Sequence, residues 1–506
     1  MSTPLSLDRL RRDGQAFMEA ISREFYLAHS GQKPTAELQP LYARYADIMS
    51  EESLALVLDA FRAADPASED YRGLRQLLDW QVESQSSREL AALDEREIAW
   101  EGSALVTLPE GGKVPFQRAS IDIANSDDRD ERLALESARA TLVEHELVPM
   151  RLEHFQRERD IVERLRLADG YNGTFDLLAG FPLLELRAQC EQFLRDTRDM
   201  WDEVYPEFVK RILGIAPGDA TRADALALMR AREFDGGFPW NAMQERILGQ
   251  TAEMGIVPDA EGRVVFDTGD REGKRSRAFC APVRVPDEVY LVLRAHGGQN
   301  DWNTFLHELG HALHFAYARP ALPFEYRWLG DNSVTESYAM LFDHRMQDAG
   351  WLARYASLGK ADVPRFLRSA GFEELQFLRR YCAKLIYETH LYGGDVPWHA
   401  LPDLYVQLLT DATSFRYHTA DAFVDVDPRY YSARYLRAWQ LQARLNETLT
   451  ERFNDDWWRN PHAGPWIAHE LFGHGQRELA QEQAARVSGK ALSFAPLVRS
   501  IERLLG

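Results

Sequence analysis

His307, Glu308 and His311 stand in the run HELGH. Four residues at ~100° each complete just over one helical turn, so on a helix the two imidazoles share a face. Histidines so placed bind Zn²⁺ at ~2.0–2.1 Å. Glu308 follows the first of them and can reach a water at an open metal position without being a ligand. The run HExxH also arises by chance, and a helix with two surface histidines is its plain reading. The surroundings argue otherwise: Trp302, Phe305, Leu306, Leu309, Ala312, Leu313 and Phe315 flank the motif and predict a buried helix. Two imidazoles and a carboxylate buried without a partner cost several kcal/mol, and a metal ion is such a partner.

A catalytic zinc keeps three protein ligands and one open position. A histidine six residues past His311 would give the metzincin arrangement, but that position is Tyr317. A gluzincin takes a glutamate from a following helix. Glu336, 25 residues past His311 in SVTESYAMLFDH, fits that role, with Pro320, Pro323 and Gly330 turning the chain between. Glu325 is a rival, set between proline and aromatic residues with no predicted helix to orient it. Asp343, seven residues past Glu336 and on the same face, is placed to orient a metal histidine. His314, seven residues past His307, is expected near the site as a packing or supporting group. His469 and His474 in HELFGH are five apart, which puts their rings ~140° apart, so they do not share a face.

These residues need elements to hold them. Residues 1 to about 230 read as helical almost throughout, with segments at 52–61, 127–169, 182–213 and 221–232. Apolar residues recur there at i, i+3 and i+4. After the turn signals Gly236, Gly237 and Pro239, alternation in RVVFDT, SRAFCAPV and EVYLVLRA predicts three short antiparallel strands. DREGK and VPD read as turns between them. The motif helix follows Gly297 and Gly298, with Asn300 or Asp301 as its predicted N-cap, and the remainder to 506 is again mostly helical. The reading is a mainly α chain with a helical part at 1–230 and a catalytic part at 231–506, the two free to interleave.

Composition limits the function. The chain has 506 residues, 45% hydrophobic and 27% charged, which is globular. Its net charge of −20 disfavours general nucleic-acid binding. Cys190, Cys280 and Cys382 cannot form a disulfide framework, which fits a reducing compartment. The opening MSTPLSLDRLRRDGQAF has no apolar run of signal-peptide length, and no stretch is apolar enough to span a bilayer. A cytoplasmic protein is expected.

The run REGK (Arg271 to Lys274), the strands RAFCAP and EVYLVL, and HELGHALH with its later glutamate resemble the thimet oligopeptidase and oligoendopeptidase F family of zinc metallopeptidases. The resemblance is specific from about Asp270 to Asp343 and weaker from Tyr417 to Leu445. It implies a bilobed, zincin-like helical body, a small sheet beside the zinc helix, and a deep central channel that admits short unfolded peptides. It also implies tyrosines that bond the substrate carbonyl, and Tyr431 and Tyr435 in DVDPRYYSARYLRAW fall at such positions. The family's histidine in that segment is replaced by Asp425, and His418 is a substitute if its loop folds inward.

The expected protein is a zinc-dependent oligopeptidase with one Zn²⁺ on His307, His311 and Glu336. Glu308 is its general base, and Tyr435 stabilises the oxyanion. Two alternatives stand beside it. One is a metallocarboxypeptidase or dipeptidyl carboxypeptidase, which needs a cation for the terminal carboxylate, with Lys274, Arg275, Arg277 and Arg434 as candidates. The other is a weakly active peptide-binding protein on the same scaffold.

Overall fold

The computed structural model of the chain describes residues 5–506. Helices dominate, and several of them start on a capping side chain. The side chains of Ser6, Ser50 and Ser68 accept backbone N–H bonds at the heads of Leu7–His29, Glu51–Ala63 and Glu69–Ser103. The predicted segment 127–169 forms Arg129–Leu142 and Val148–Arg164, joined by a π-turn at 143–147. The predicted single helix 182–213 is broken at Thr197 into Leu183–Asp196 and Arg198–Phe208. Buried Arg379 stands at the break: its guanidinium donates to Leu194 O at 3.0 Å and to Thr197 Oγ1 at 2.6 Å, satisfying a helix end inside the core.

A two-stranded hairpin, β1 (Leu105–Thr107) with β2 (Lys113–Pro115), was not anticipated. Three residues per strand are too few for alternation to reveal. The three predicted strands do form, as β3 (Val264–Asp267), β4 (Phe279–Arg284) and β5 (Glu288–Val292), in the order β3–β5–β4. β4 and β5 are antiparallel as expected, but β3 pairs with β5 in parallel. The expectation of a wholly antiparallel sheet is corrected here because DREGK does not close a hairpin. Lys274 Nζ is held by Asp267 Oδ1 at 2.9 Å and Gly269 O at 2.7 Å, and Arg275 N donates to His29 O at 2.8 Å. That segment is tied to the end of the first helix, so β4 crosses to the far side of β5.

Three large cores organise the described residues. Phe155, Phe193, Trp201 and Phe208 pack with Phe372, Leu385, Tyr405 and Leu436. Leu10, Phe17, Leu77 and Trp80 pack with Phe324 and Trp328. Trp302, Phe305, Leu309 and Leu313 of the motif helix pack with Met243, Trp351, Leu441 and Phe472. Residues before 230 therefore share cores with residues far beyond it. All three cysteines are free thiols. Among the described residues no helix is long and apolar enough to cross a membrane.

Candidate metal centre

The motif lies on the helix Gln299–Tyr317, whose apolar face is fully buried. Its head is not capped by Asn300 or Asp301. Gly298 takes the cap position at φ +86°, where a Cβ would strike Asp235 at 2.3 Å. The Asp301 carboxylate instead accepts the N–H groups of His296 and Gly297 at 2.8 and 2.6 Å. Pressed against this helix is Asn332–Asp343, capped by Asp331, whose side chain accepts from Ser333 N. Gly310 permits the approach: a Cβ there would lie 2.6 Å from both Ala339 Cα and Tyr338 O. A third helix, Tyr431–Phe453, is anchored to the second by Arg437, whose Nη2 lies 3.0 Å from Asp331 Oδ2.

This packing brings His307, His311 and Glu336 together, one ligand atom from each lying within 4.8 Å of the others. Glu336 Oε2 is 3.5 Å from His307 Nε2 and 3.6 Å from His311 Nε2. Bonds of ~2.1 Å at the tetrahedral angle require ~3.4 Å between donor atoms. Oε2 is buried and has no hydrogen-bond partner. A buried carboxylate oxygen facing two imidazole nitrogens without a bond is the vacancy in bonding that a cation satisfies, so the residues fit zinc. The side chains are 26%, 12% and 9% exposed, so the trio is reached from one side, past His307.

Each of the three side chains is held from behind. His307 Nδ1 lies 2.8 Å from Asp343 Oδ2. His311 Nδ1 lies 2.9 Å from Thr335 Oγ1, and the same hydroxyl is 3.1 Å from His314 Nδ1. Burial pushes the His314 pKa down to about 3, so its ring is neutral and accepts from Thr335. Thr335 was missed in the sequence. Its signal was a β-branched hydroxyl beside Glu336 in the first turn of the helix. Tyr431 OH donates to Glu336 Oε1 at 2.9 Å. Burial opposes a charged His307, yet its bond to Asp343 and the close negative charge of Glu336 push its pKa up to about 10 in the metal-free chain. Burial likewise opposes the Glu336 carboxylate, but the two histidines hold its pKa well below the usual range. The pocket is built to hold positive charge.

Glu308 lines a cleft of about 360 Å³ with His307, Thr304, His296 and Arg277. Among the described residues it has no ion pair, so its carboxylate is uncommitted. Tyr435 packs its ring 4.9 Å from that of Tyr431 and 5.6 Å from that of Tyr381. Burial and then Glu336 raise its pKa, while the charge of Arg277 lowers it. Its proton is firmly held and is free to donate.

The other sequence candidates fall elsewhere. Glu325 sits in a short helix, Phe324–Trp328, that the sequence did not suggest, and pairs with Arg11 at 3.0 Å. Asp425 accepts from Tyr405 OH at 2.8 Å and pairs with Arg380 and Lys384, a buried structural cluster. His418 is exposed, and its Nδ1 accepts from Ala420 N at 3.0 Å to cap one turn, so its loop does not fold inward. His469 pairs with Glu470, and His474 Nδ1 lies 4.0 Å from Glu478. Of the four cation candidates, Lys274 is buried on Asp267 and Arg434 faces Asp79 and Asp331. Arg275 and Arg277 are exposed, and Arg277 has no ion pair among the described residues and lines the cleft.

No family model matches the chain, and no curated protein matches it. Solved structures do. The chain is similar to a carboxypeptidase of Pyrococcus furiosus, with a TM-score of 0.65 and 13% identity over 99% of this chain and 98% of that one. It is also similar to a structure described as BsuCP, with a TM-score of 0.58 and 14% identity over 98% of each chain. The mainly helical fold is shared along essentially the whole length.

Proposed function

We propose that this protein is a metal-dependent peptidase, with His307, His311 and Glu336 as the zinc ligands. The observation that carries the reading is the unbonded, buried Glu336 Oε2 facing both imidazoles, with the uncommitted Glu308 beside them. Zinc, when bound, supplies Lewis acidity that acidifies a water and polarises a carbonyl. Glu308 accepts the proton of the attacking water and returns it to the leaving amine. Tyr435 donates its phenolic hydrogen to the carbonyl oxygen as negative charge develops there. Asp343, Thr335 and Tyr431 fix the ligands, so the site needs little reorganisation. The three free thiols suit the reducing cytoplasm, and the substrates are short peptides.

Two modes of cleavage remain compatible with this centre: internal cleavage of short peptides, and removal of C-terminal residues. Arg277 favours the second. An exposed guanidinium without an ion pair, in a protein of net charge −20 and in the same cleft as Glu308, is suited to a substrate carboxylate. The likeness to the Pyrococcus furiosus carboxypeptidase supports the same mode. The test is product analysis on one peptide with a free and an amidated C-terminus. Loss of cleavage on amidation, with a raised KM for Arg277→Gln on the free peptide, supports the carboxypeptidase mode. Equal cleavage of both supports the oligopeptidase mode. A zinc-loaded protein that cleaves neither, across a peptide library, overturns the enzyme reading.

A further inference from the structure

Behind His307 the contacts run further than its orienting carboxylate. We propose that His344 is a positioning residue for the metal centre, clamping Asp343 and through it the ring and tautomer of His307. The inference rests on the zinc reading above. Asp343 Oδ2 meets His307 Nδ1 at 2.8 Å, and its other oxygen, Oδ1, meets His344 Nδ1 at 2.5 Å. His344 Nε2 lies 3.1 Å from Glu374 Oε1, and Glu374 Oε2 accepts from Gln347 Nε2 at 3.1 Å.

Ionised carboxylates only accept hydrogen bonds, so both ring nitrogens of His344 donate. Burial works against its charge, but Glu374 and Asp343 hold its pKa well above the ordinary imidazole range. The result is an imidazolium fixed between two carboxylates. Asp343 ends its helix, and a carboxylate there with one bond would swing about its side-chain torsions. With Oδ1 pinned, Oδ2 has one direction left, toward His307. Because it accepts only, it requires the hydrogen on His307 Nδ1 and leaves Nε2 as the ligand atom. Glu374 belongs to the long helix Asp362–Gly393, so the clamp ties the centre to an element that contributes no ligand. The neighbouring Arg345 does not compete for these carboxylates: its guanidinium is 3.8 Å above the Phe342 ring and donates to Gln250 Oε1 at 2.6 Å.

The outer end of the chain is not tightly packed. His344, Gln347 and Glu374 form part of the wall of a cavity of about 730 Å³. A change of side-chain volume at His344 therefore has room to be absorbed, which makes direction of hydrogen bonding testable by itself. His344→Asn places an amide donor near the Nδ1 position and can serve Asp343. His344→Gln places it near the Nε2 position and can serve only Glu374. Glutamine is nearer to histidine in volume, so a packing role and a clamping role predict opposite orders.

The experiment is a zinc competition titration against a chromophoric chelator on the full-length protein, which reads affinity without activity. His344→Asn should bind close to wild type, and His344→Gln should bind about 10- to 100-fold more weakly, as for loss of an outer partner. In the cobalt-substituted protein the shifted His307 N–H proton should exchange with solvent faster in His344→Gln than in His344→Asn. Equal affinities for both variants, or a weaker His344→Asn, overturn the clamp while leaving the metal centre standing. A wild-type protein that takes up no zinc overturns the metal reading and the clamp with it.

Discussion

Tyr431 donates its hydroxyl hydrogen to Glu336 Oε1 at 2.9 Å, while Glu336 Oε2 faces the two imidazoles with no bond of its own. One carboxylate is thus split between a fixed oxygen and a free one. That separates two tyrosines which the sequence placed together. Tyr431 is committed to Glu336, whereas Tyr435, one turn on, has an uncommitted hydroxyl.

The two tyrosines should therefore fail differently. Tyr431→Phe should weaken zinc binding by about 10- to 100-fold, as loss of a ligand's partner does. Tyr435→Phe should leave zinc binding intact and lower kcat by about 10²–10³-fold with little change in KM. Parallel zinc titrations and kinetics on both variants check this, and a Tyr435→Phe enzyme with normal kcat would remove Tyr435 from the reaction.

Glu308→Gln keeps the shape of the side chain and touches no ligand in the structure. Zinc content should match wild type and turnover should fall by about 10²–10⁴-fold. By contrast, Glu336→Ala should lose the metal, and Glu325→Ala should not, because Glu325 is spent on Arg11. Metal analysis after dialysis distinguishes the three.

Gly310 is where the motif helix meets the carboxylate helix, and the nearest atoms a Cβ would meet are backbone. Backbone cannot move aside as a side-chain end can. Gly310→Ala should cost about 1–3 kcal/mol of stability and, by pushing Glu336 away from the histidines, lower zinc affinity as well. Thermal unfolding of metal-free and zinc-loaded protein reads the two effects separately.

Protons and zinc compete for the same atoms. The metal-free His307 pKa is raised, to about 10, above its unfolded value near 6.5. A raised pKa adds stability that is fully present below about pH 6.5 and is lost as pH climbs through about 10. Metal binding requires His307 to lose that proton, so zinc affinity should rise with pH by up to about tenfold per unit between pH 6.5 and 9. The metal-free protein should grow less stable over the same range. Affinity that is flat with pH would show that His307 is already neutral.

The sequence alone determined the chemistry of the helix that carries the site. HELGH at helical spacing, set among residues that must be buried, defines two imidazoles and a carboxylate on one element, because a helix fixes relative directions from spacing. It also pointed to Glu336 and Asp343, again through periodicity within one helix. It marked the strands around the site as segments, but not that β3 runs parallel to β5, since pairing partners are set by where DREGK is anchored on a distant helix end. Thr335, His344 and Glu374 were not legible as supports, nor was the split between Tyr431 and Tyr435. Their roles exist only where helices cross, and crossings depend on contacts such as Gly310 against Ala339 and Arg437 against Asp331, whose members lie far apart in the chain. Local spacing assigns residues to faces. Which faces meet, and therefore which hydroxyl or carboxylate stands behind each ligand, was decided by tertiary packing.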